Sequence, residues 1–138
     1  MGKGSFLNVS LIELLPRRKK LYVGIDTKIG GASRIAYEFH TEFSAQGNYP
    51  EVHIGNRVHA TRNLTLYCGQ KVDIADDVLL GSNVLITDVN HGMNPEVSNY
   101  LFQASTTAPI TIGKGAWIGE QCCSMPGSSI GEKSVRGQ

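Results

Sequence analysis

From Val23 onward an aliphatic residue returns at every sixth position. The series runs Val23, Ile29, Ile35, then Ile54, Ala60, Leu66, then Ile74, Leu80, Ile86, then Ile112, Ile118, Ser124 and Ile130. Only Ala60 and Ser124 are not large aliphatics. The next position is mostly small, nine of the thirteen residues being Gly or Ala, among them Gly24, Gly30, Gly55, Ala75, Gly81, Gly113 and Gly119. Four residues after each aliphatic comes a second small or aliphatic residue, such as Ser33, Val58, Leu64, Val78, Val84, Ala116 and Cys122.

An amphipathic helix repeats near 3.6 and a half-buried strand repeats at two, so a strict six suits neither alone. It suits an all-β solenoid in which three flat faces each take one hexapeptide and the aliphatic residue fills a triangular interior. The small neighbour is expected to let the backbone turn each corner without a clash. A Gly-rich sandwich has no reason to hold this phase over four stretches. The interruptions agree: inserts of about 13, 2 and 20 residues follow Ile35, Leu66 and Ile86, each after a third hexapeptide, so all leave from one corner. Residues 1–22 keep the phase poorly and are expected to form an irregular first coil or cap, with the hexapeptide domain spanning residues 23–138.

With 138 residues there is room for one domain, so fold and function share one small unit. A net charge of +1 lacks the cationic excess that nucleic-acid binders use. The basic cluster Arg17–Lys20 reads as a solvated turn. Cys68, Cys122 and Cys123 form neither an even disulfide framework nor a spaced metal pair, which fits reduced thiols. There is no long apolar run behind the N-terminus or elsewhere. A soluble cytoplasmic protein is the expectation.

Three segments carry a family likeness: Ala60-Thr61-Arg62-Asn63-Leu64-Thr65-Leu66, Val78-Leu79-Leu80-Gly81-Ser82-Asn83-Val84 and Ile112-Gly113-Lys114-Gly115-Ala116-Trp117-Ile118-Gly119, extended by Pro126-Gly127-Ser128-Ser129-Ile130-Gly131. They resemble the hexapeptide-repeat acyltransferases, in particular the galactoside, maltose, nodulation-factor and capsule O-acetyltransferases. The resemblance implies a left-handed parallel β-helix and a homotrimer. It also implies acetyl transfer from acetyl-CoA, held in a groove between neighbouring helices, to a hydroxyl or amino group of a sugar or surface-polysaccharide precursor. No metal and no membrane insertion are implied.

The longest insert opens Thr87-Asp88-Val89-Asn90-His91-Gly92, and loops of such length are usually functional. His91 matches the family's catalytic base. An imidazole, whose ordinary pKa is about 6.5, is largely free to accept a hydroxyl proton at neutral pH. Asp88 either orients that imidazole, as carboxylates do in triads, or caps the loop turn. Relatives often read Asp-His-x-His-Gly, and Val89 replaces the first histidine, leaving His91 the sole candidate. A backbone amide at a tight corner would meet the oxyanion.

Trp117 resembles the tryptophan beside the coenzyme groove, and Gly119 and Glu120 fall in the same coenzyme-binding stretch, Glu120 where relatives often carry a small polar residue. Thr61 and Asn83 are the acceptor-binding candidates. Thr61 replaces an asparagine of the sugar-acetylating relatives, and Gly69 replaces an acidic contact, so the acceptor need not be a simple galactoside or maltose. The chain stops at Gln138 where the family continues with another coil and a basic tail, so a truncated product, or an edge covered within the trimer, is expected.

Two other readings use the same residues. A non-catalytic paralogue would keep the helix without the chemistry. A zinc enzyme of the γ-type carbonic anhydrase kind would draw on His40, His53, His59 and His91, although the pair spaced by five that marks that group is absent.

Overall fold

A computed structural model describes residues 2–11, 20–97 and 99–137. The sixfold period becomes a left-handed parallel β-helix with three faces. The first face stacks the strands Lys20–Val23, Glu51–Ile54, Lys71–Ile74, Ile110–Ile112 and Ser129–Ile130. The second stacks the start of Lys28–Tyr37 with His59–Ala60, Leu79–Leu80, Trp117–Ile118 and Val135–Arg136. Lys28–Tyr37 then rounds the next corner, and its second half begins the third face with Thr65–Cys68, Leu85–Thr87 and Cys123–Ser124.

Every ladder places like on like. Ile54, Ile74, Ile112 and Ile130 are in register up the first face, Ile29, Ala60, Leu80 and Ile118 up the second, and Ile35, Leu66, Ile86 and Ser124 up the third. Apart from Ser124, which is buried as well, these side chains form one continuous hydrophobic core with Val58, Leu64, Val78, Val84 and Ala116. The period of six is therefore the spacing of inward side chains around three sides.

The corners work differently from the sequence expectation. The small residue after each aliphatic is not where the backbone turns left-handed. Positive φ falls two residues further on, at Asp26, Ala32, Arg57, Asn63, Asp77, Asn83, Gly115, Gln121, Gly127 and Lys133. Most of these are not glycine, and the Asp and Asn members accept this region more readily than other residues. The small residue instead permits close stacking of coils. A Cβ on Gly30 would lie 1.8 Å from the Thr61 carbonyl oxygen, and one on Gly81 2.8 Å from the Glu120 nitrogen.

Phe6–Leu11, although out of phase in sequence, forms a strand parallel to Lys28–Tyr37, with a register shift between Leu7 and Val9. Lys20 begins the first face, whereas Arg17, Arg18 and Lys19 lie outside the described residues. All three inserts leave between the third and first faces. Residues 38–50 include a helical turn, Glu42–Ala45, capped by the Thr41 hydroxyl. The long insert holds the antiparallel pair Val89–Asn90 with Thr106–Thr107 and a 3-10 turn, Tyr100–Phe102. Among the described residues no helix is long and apolar enough to cross a membrane.

Candidate active site

The corner that carries the inserts is tied together by hydrogen bonds among all three. Glu42 N donates to the Ser105 carbonyl at 2.9 Å and Ser105 N to the His40 carbonyl at 3.2 Å. The Thr107 hydroxyl donates to Gln70 Oε1 at 2.6 Å, bringing in the two-residue insert. These bonds make a platform of segments distant in sequence.

His91 stands near the base of the long insert. It directly follows the rung Asn90–Thr106 and is exposed. Gly92 beyond it packs so closely that a Cβ there would lie 2.6 Å from Gln103 Cβ. Gln103 then cross-ties the loop, accepting from Asn94 N at 3.0 Å and donating to the Asn94 carbonyl at 2.8 Å. The backbone at His91 thus lies between a strand rung and a side-chain tie, and its imidazole is exposed. Further out the loop presents Met93, Val97, Leu101 and Phe102, with exposures from 55% to 76%.

Asp88 is fully buried, and its carboxylate is spent on the neighbouring coil. Oδ1 accepts from Gly69 N at 2.7 Å, and Oδ2 accepts from Gln70 N at 2.9 Å and Lys71 N at 2.7 Å. The Cys68 thiol lies 3.7 Å from Oδ2. Burial pushes the Asp88 carboxyl above the ordinary aspartate range, and the three amides oppose that rise. The same burial, aided by the Asp88 charge, pushes the Cys68 thiol far up, so it stays protonated. Among the described residues none of the Asp88 hydrogen bonds runs to His91. The carboxylate thus caps the turn at residues 69–71, one coil below the insert.

The other candidates sit elsewhere. Thr61, Asn83, Gly119 and Glu120 gather at the corner between the second and third faces. The exposed Thr61 lies 3.3 Å through its hydroxyl from the Leu80 carbonyl. Asn83 takes the left-handed corner conformation and its Oδ1 accepts from Asn63 Nδ2 at 2.6 Å. Gly119 N donates to the Arg136 carbonyl at 2.8 Å, and exposed Glu120 packs over Gly81. Trp117 lies on the second face, 48% exposed and outside the core. Within one chain, His91 and these residues occupy two edges of the prism, with the third face between them.

The histidines are similarly dispersed. His53 pairs with Glu51 and stacks on Tyr22, His59 points out from the second face, and His40 is exposed beside Glu38. Among the described residues no group of three or more His, Cys, Asp or Glu side chains is placed to hold a metal. Sequence reasoning did not find the amides that Asp88 caps, nor the Tyr67 hydroxyl donating to Glu38 Oε2 at 2.7 Å. Both join residues 17 to 29 apart that only the coil register brings together.

Fold and insert define a hexapeptide-repeat protein of the left-handed β-helix class. Galactoside O-acetyltransferases of the hexapeptide-repeat family are its homologues. The chain is 37% identical over 90 residues to that of Escherichia coli, spanning 62% of this chain and 41% of the relative. It is 28% identical over 111 residues to that of Lactococcus lactis, spanning 80% and 51%. The chain thus spans about half the length of these curated relatives. No family model matches it. Among solved structures, a substituted form of AntD, an N-acyltransferase from Bacillus cereus in complex with dTDP-4-amino-4,6-dideoxyglucose and coenzyme A, superposes with a TM-score of 0.51 at 16% identity, covering 97% of this chain and 70% of AntD. At that identity the likeness is one of fold.

Proposed function

We propose that the protein is an acyltransferase that moves an acetyl group from acetyl-CoA to a hydroxyl or amino group of a sugar or surface-polysaccharide precursor, with His91 as general base. The observation that carries this reading is the exposed His91, held at the base of the long corner insert in a chain homologous to galactoside O-acetyltransferases. In the proposed reaction the neutral imidazole accepts the acceptor's proton as its oxygen or nitrogen attacks the thioester carbonyl carbon. The tetrahedral intermediate then collapses, the carbon–sulfur bond breaks, and the imidazolium returns the proton to the departing thiolate. A corner amide stabilises the oxyanion. No metal takes part.

The coenzyme would lie along the edge that carries Gly119 and Glu120, beside Trp117 of the second face, with Thr61 and Asn83 toward the acceptor. His91 occupies another edge of the same prism, so a complete site needs a second copy whose insert meets that edge. A ring of three copies satisfies this for every site at once. The apolar tip of the insert supports such a contact, since a lone chain leaves Met93, Leu101 and Phe102 at least 70% exposed. Three unpaired cysteines support a cytoplasmic setting.

The test is acetyl-CoA-dependent acetylation of a panel of galactosides, amino sugars and nucleotide sugars, followed by thiol release and product mass. Acetylated product from the parent protein and its loss in His91→Ala is the expected result. Transfer that persists in His91→Ala would overturn the assignment of the base.

A further inference from the structure

Away from both edges discussed above, the outward row of the first face has a chemistry unlike the other rows. In ladder order it reads Tyr22, His53, Asp73, Thr111, Ser129, flanked on its first three rungs by the charged row Lys20, Glu51, Lys71, of which Glu51 pairs with His53. Neighbouring strands lie about 4.8 Å apart, so the row is a nearly straight strip on the order of 20 Å long. Its first two rungs are aromatic. The Tyr22 and His53 rings stack with centroids 4.5 Å apart, and Tyr22 still leaves 48% of its surface exposed. The last two are hydroxyls, the Thr111 and Ser129 oxygens lying 3.2 Å apart. Not one rung is aliphatic, whereas the outward row of the second face includes Leu79, Trp117 and Val135.

The aromatic end opens into a groove of about 430 Å³ whose lining includes the small residues Gly24, Gly55 and Ala75. Asp73, Asp76 and Lys114 also line it. Asp76 Oδ1 is engaged by Asn56 N at 2.7 Å, while Asp73 makes no hydrogen bond among the described residues. Two carboxylates against one ammonium disfavour an anionic ligand such as a phosphate or nucleotide. An open groove with one stacked pair also does not enclose a quaternary ammonium as an aromatic cage does.

We propose that this strip binds a neutral saccharide chain, one pyranose laying its C–H face on Tyr22 and the following units donating and accepting hydrogen bonds at Asp73, Thr111 and Ser129. The rung spacing is comparable with the length of a pyranose unit, so successive rungs meet successive sugars. Half-exposed aromatic rings beside a free carboxylate supply the apolar body and polar fixing points that sugar sites combine. The site is separate from His91 and stands whether or not acetyl transfer is the activity.

The experiment is titration of the whole protein with three neutral hexasaccharides, a β-glucan, an α-glucan and a β-galactan, by calorimetry and by NMR line broadening of the sugar. Saturable binding of at least one is expected. Tyr22→Ala should weaken it at least tenfold and Asp73→Asn severalfold, with unchanged circular dichroism, while His91→Ala leaves it intact. Three outcomes would overturn the proposal: no hexasaccharide binding at low-millimolar concentration, binding indifferent to Tyr22→Ala, or tetramethylammonium binding in place of the sugars. A change in assembly mass on Tyr22→Ala would mark the strip as a contact between copies and would equally overturn it.

Discussion

Replacing Asp88 by alanine separates its two possible roles, because the structure fixes what must be lost. Three backbone N–H groups, those of Gly69, Gln70 and Lys71, point at the carboxylate from 2.7 to 2.9 Å. Gly69 is buried, so its N–H has no water to turn to and takes the full penalty of an unmet donor, about 1–3 kcal/mol. The amides of Gln70 and Lys71 lie nearer the surface and recover part of theirs, contributing about 1–2 kcal/mol together. Asp88→Ala should therefore destabilise by about 2–5 kcal/mol. Asp88→Asn keeps one acceptor oxygen but turns an NH₂ group toward backbone donors, so it should fall between alanine and the parent. Urea unfolding followed by far-UV circular dichroism measures this, with m held constant as the check that only stability has changed. Activity at a temperature well below the melting point supplies the second readout. A carboxylate that fixes the imidazole tautomer costs about 10⁴ in turnover when made an amide, whereas a turn cap should cost less than about tenfold once the protein is folded. Asp88→Ala within about 0.5 kcal/mol of the parent would refute the capping argument, and a folded Asp88→Asn with turnover down by thousands would restore the triad role.

His91→Ala should lower turnover by about 10²–10⁴ while acetyl-CoA binding by calorimetry changes little, because a base acts on the transition state. A loss below about threefold in an active protein would remove His91 as the base. Gly30→Ala places a methyl group 1.8 Å from the Thr61 carbonyl oxygen, so coils must part and stability should drop by about 1–3 kcal/mol; an unshifted thermal midpoint would show that the spacing relaxes freely. Sedimentation equilibrium at micromolar concentration should give three times the chain mass, and a stable monomer would contradict the shared-edge site. In the same experiment, charging the insert tip with Leu101→Asp and Phe102→Asp should shift the mass toward monomer.

The core and the insert corner were legible because burial leaves a simple mark. A triangular interior accepts one large side chain per side, so Ile54, Leu66, Ile74, Leu80 and Ile86 had to recur at six, and a break in phase had to show where the chain left the coil. The left-handed positions were not legible. Ala32, Arg57, Gln121 and Lys133 share no side-chain character, and closing the coil imposes their φ whatever the residue. The strand at Phe6–Leu11 was hidden for a related reason: its pairing with Lys28–Tyr37 shifts register, so no period survives in the sequence. At the site, His91 could be picked from its place in the insert together with the family likeness. The purpose of Asp88 could not, since its partners belong to the preceding coil, 17 to 19 residues earlier.

The gathering of every insert at one corner has a consequence for how such a chain can change. Each strand is aligned by the rungs above and below it, so the alignment survives whatever the connecting segment does. Lengthening a flexible connection costs only loop-closure entropy, about 0.6 kcal/mol for each doubling. Two residues at 69–70 and about twenty in the long insert therefore sit on equivalent strand ends at a difference of about 2 kcal/mol in closure entropy. The same insertion within a face would displace every later aliphatic side chain from the interior. Variation in loop length is thereby channelled to a single edge of the molecule, where new side chains can be tried while the stacked interior stays as it was.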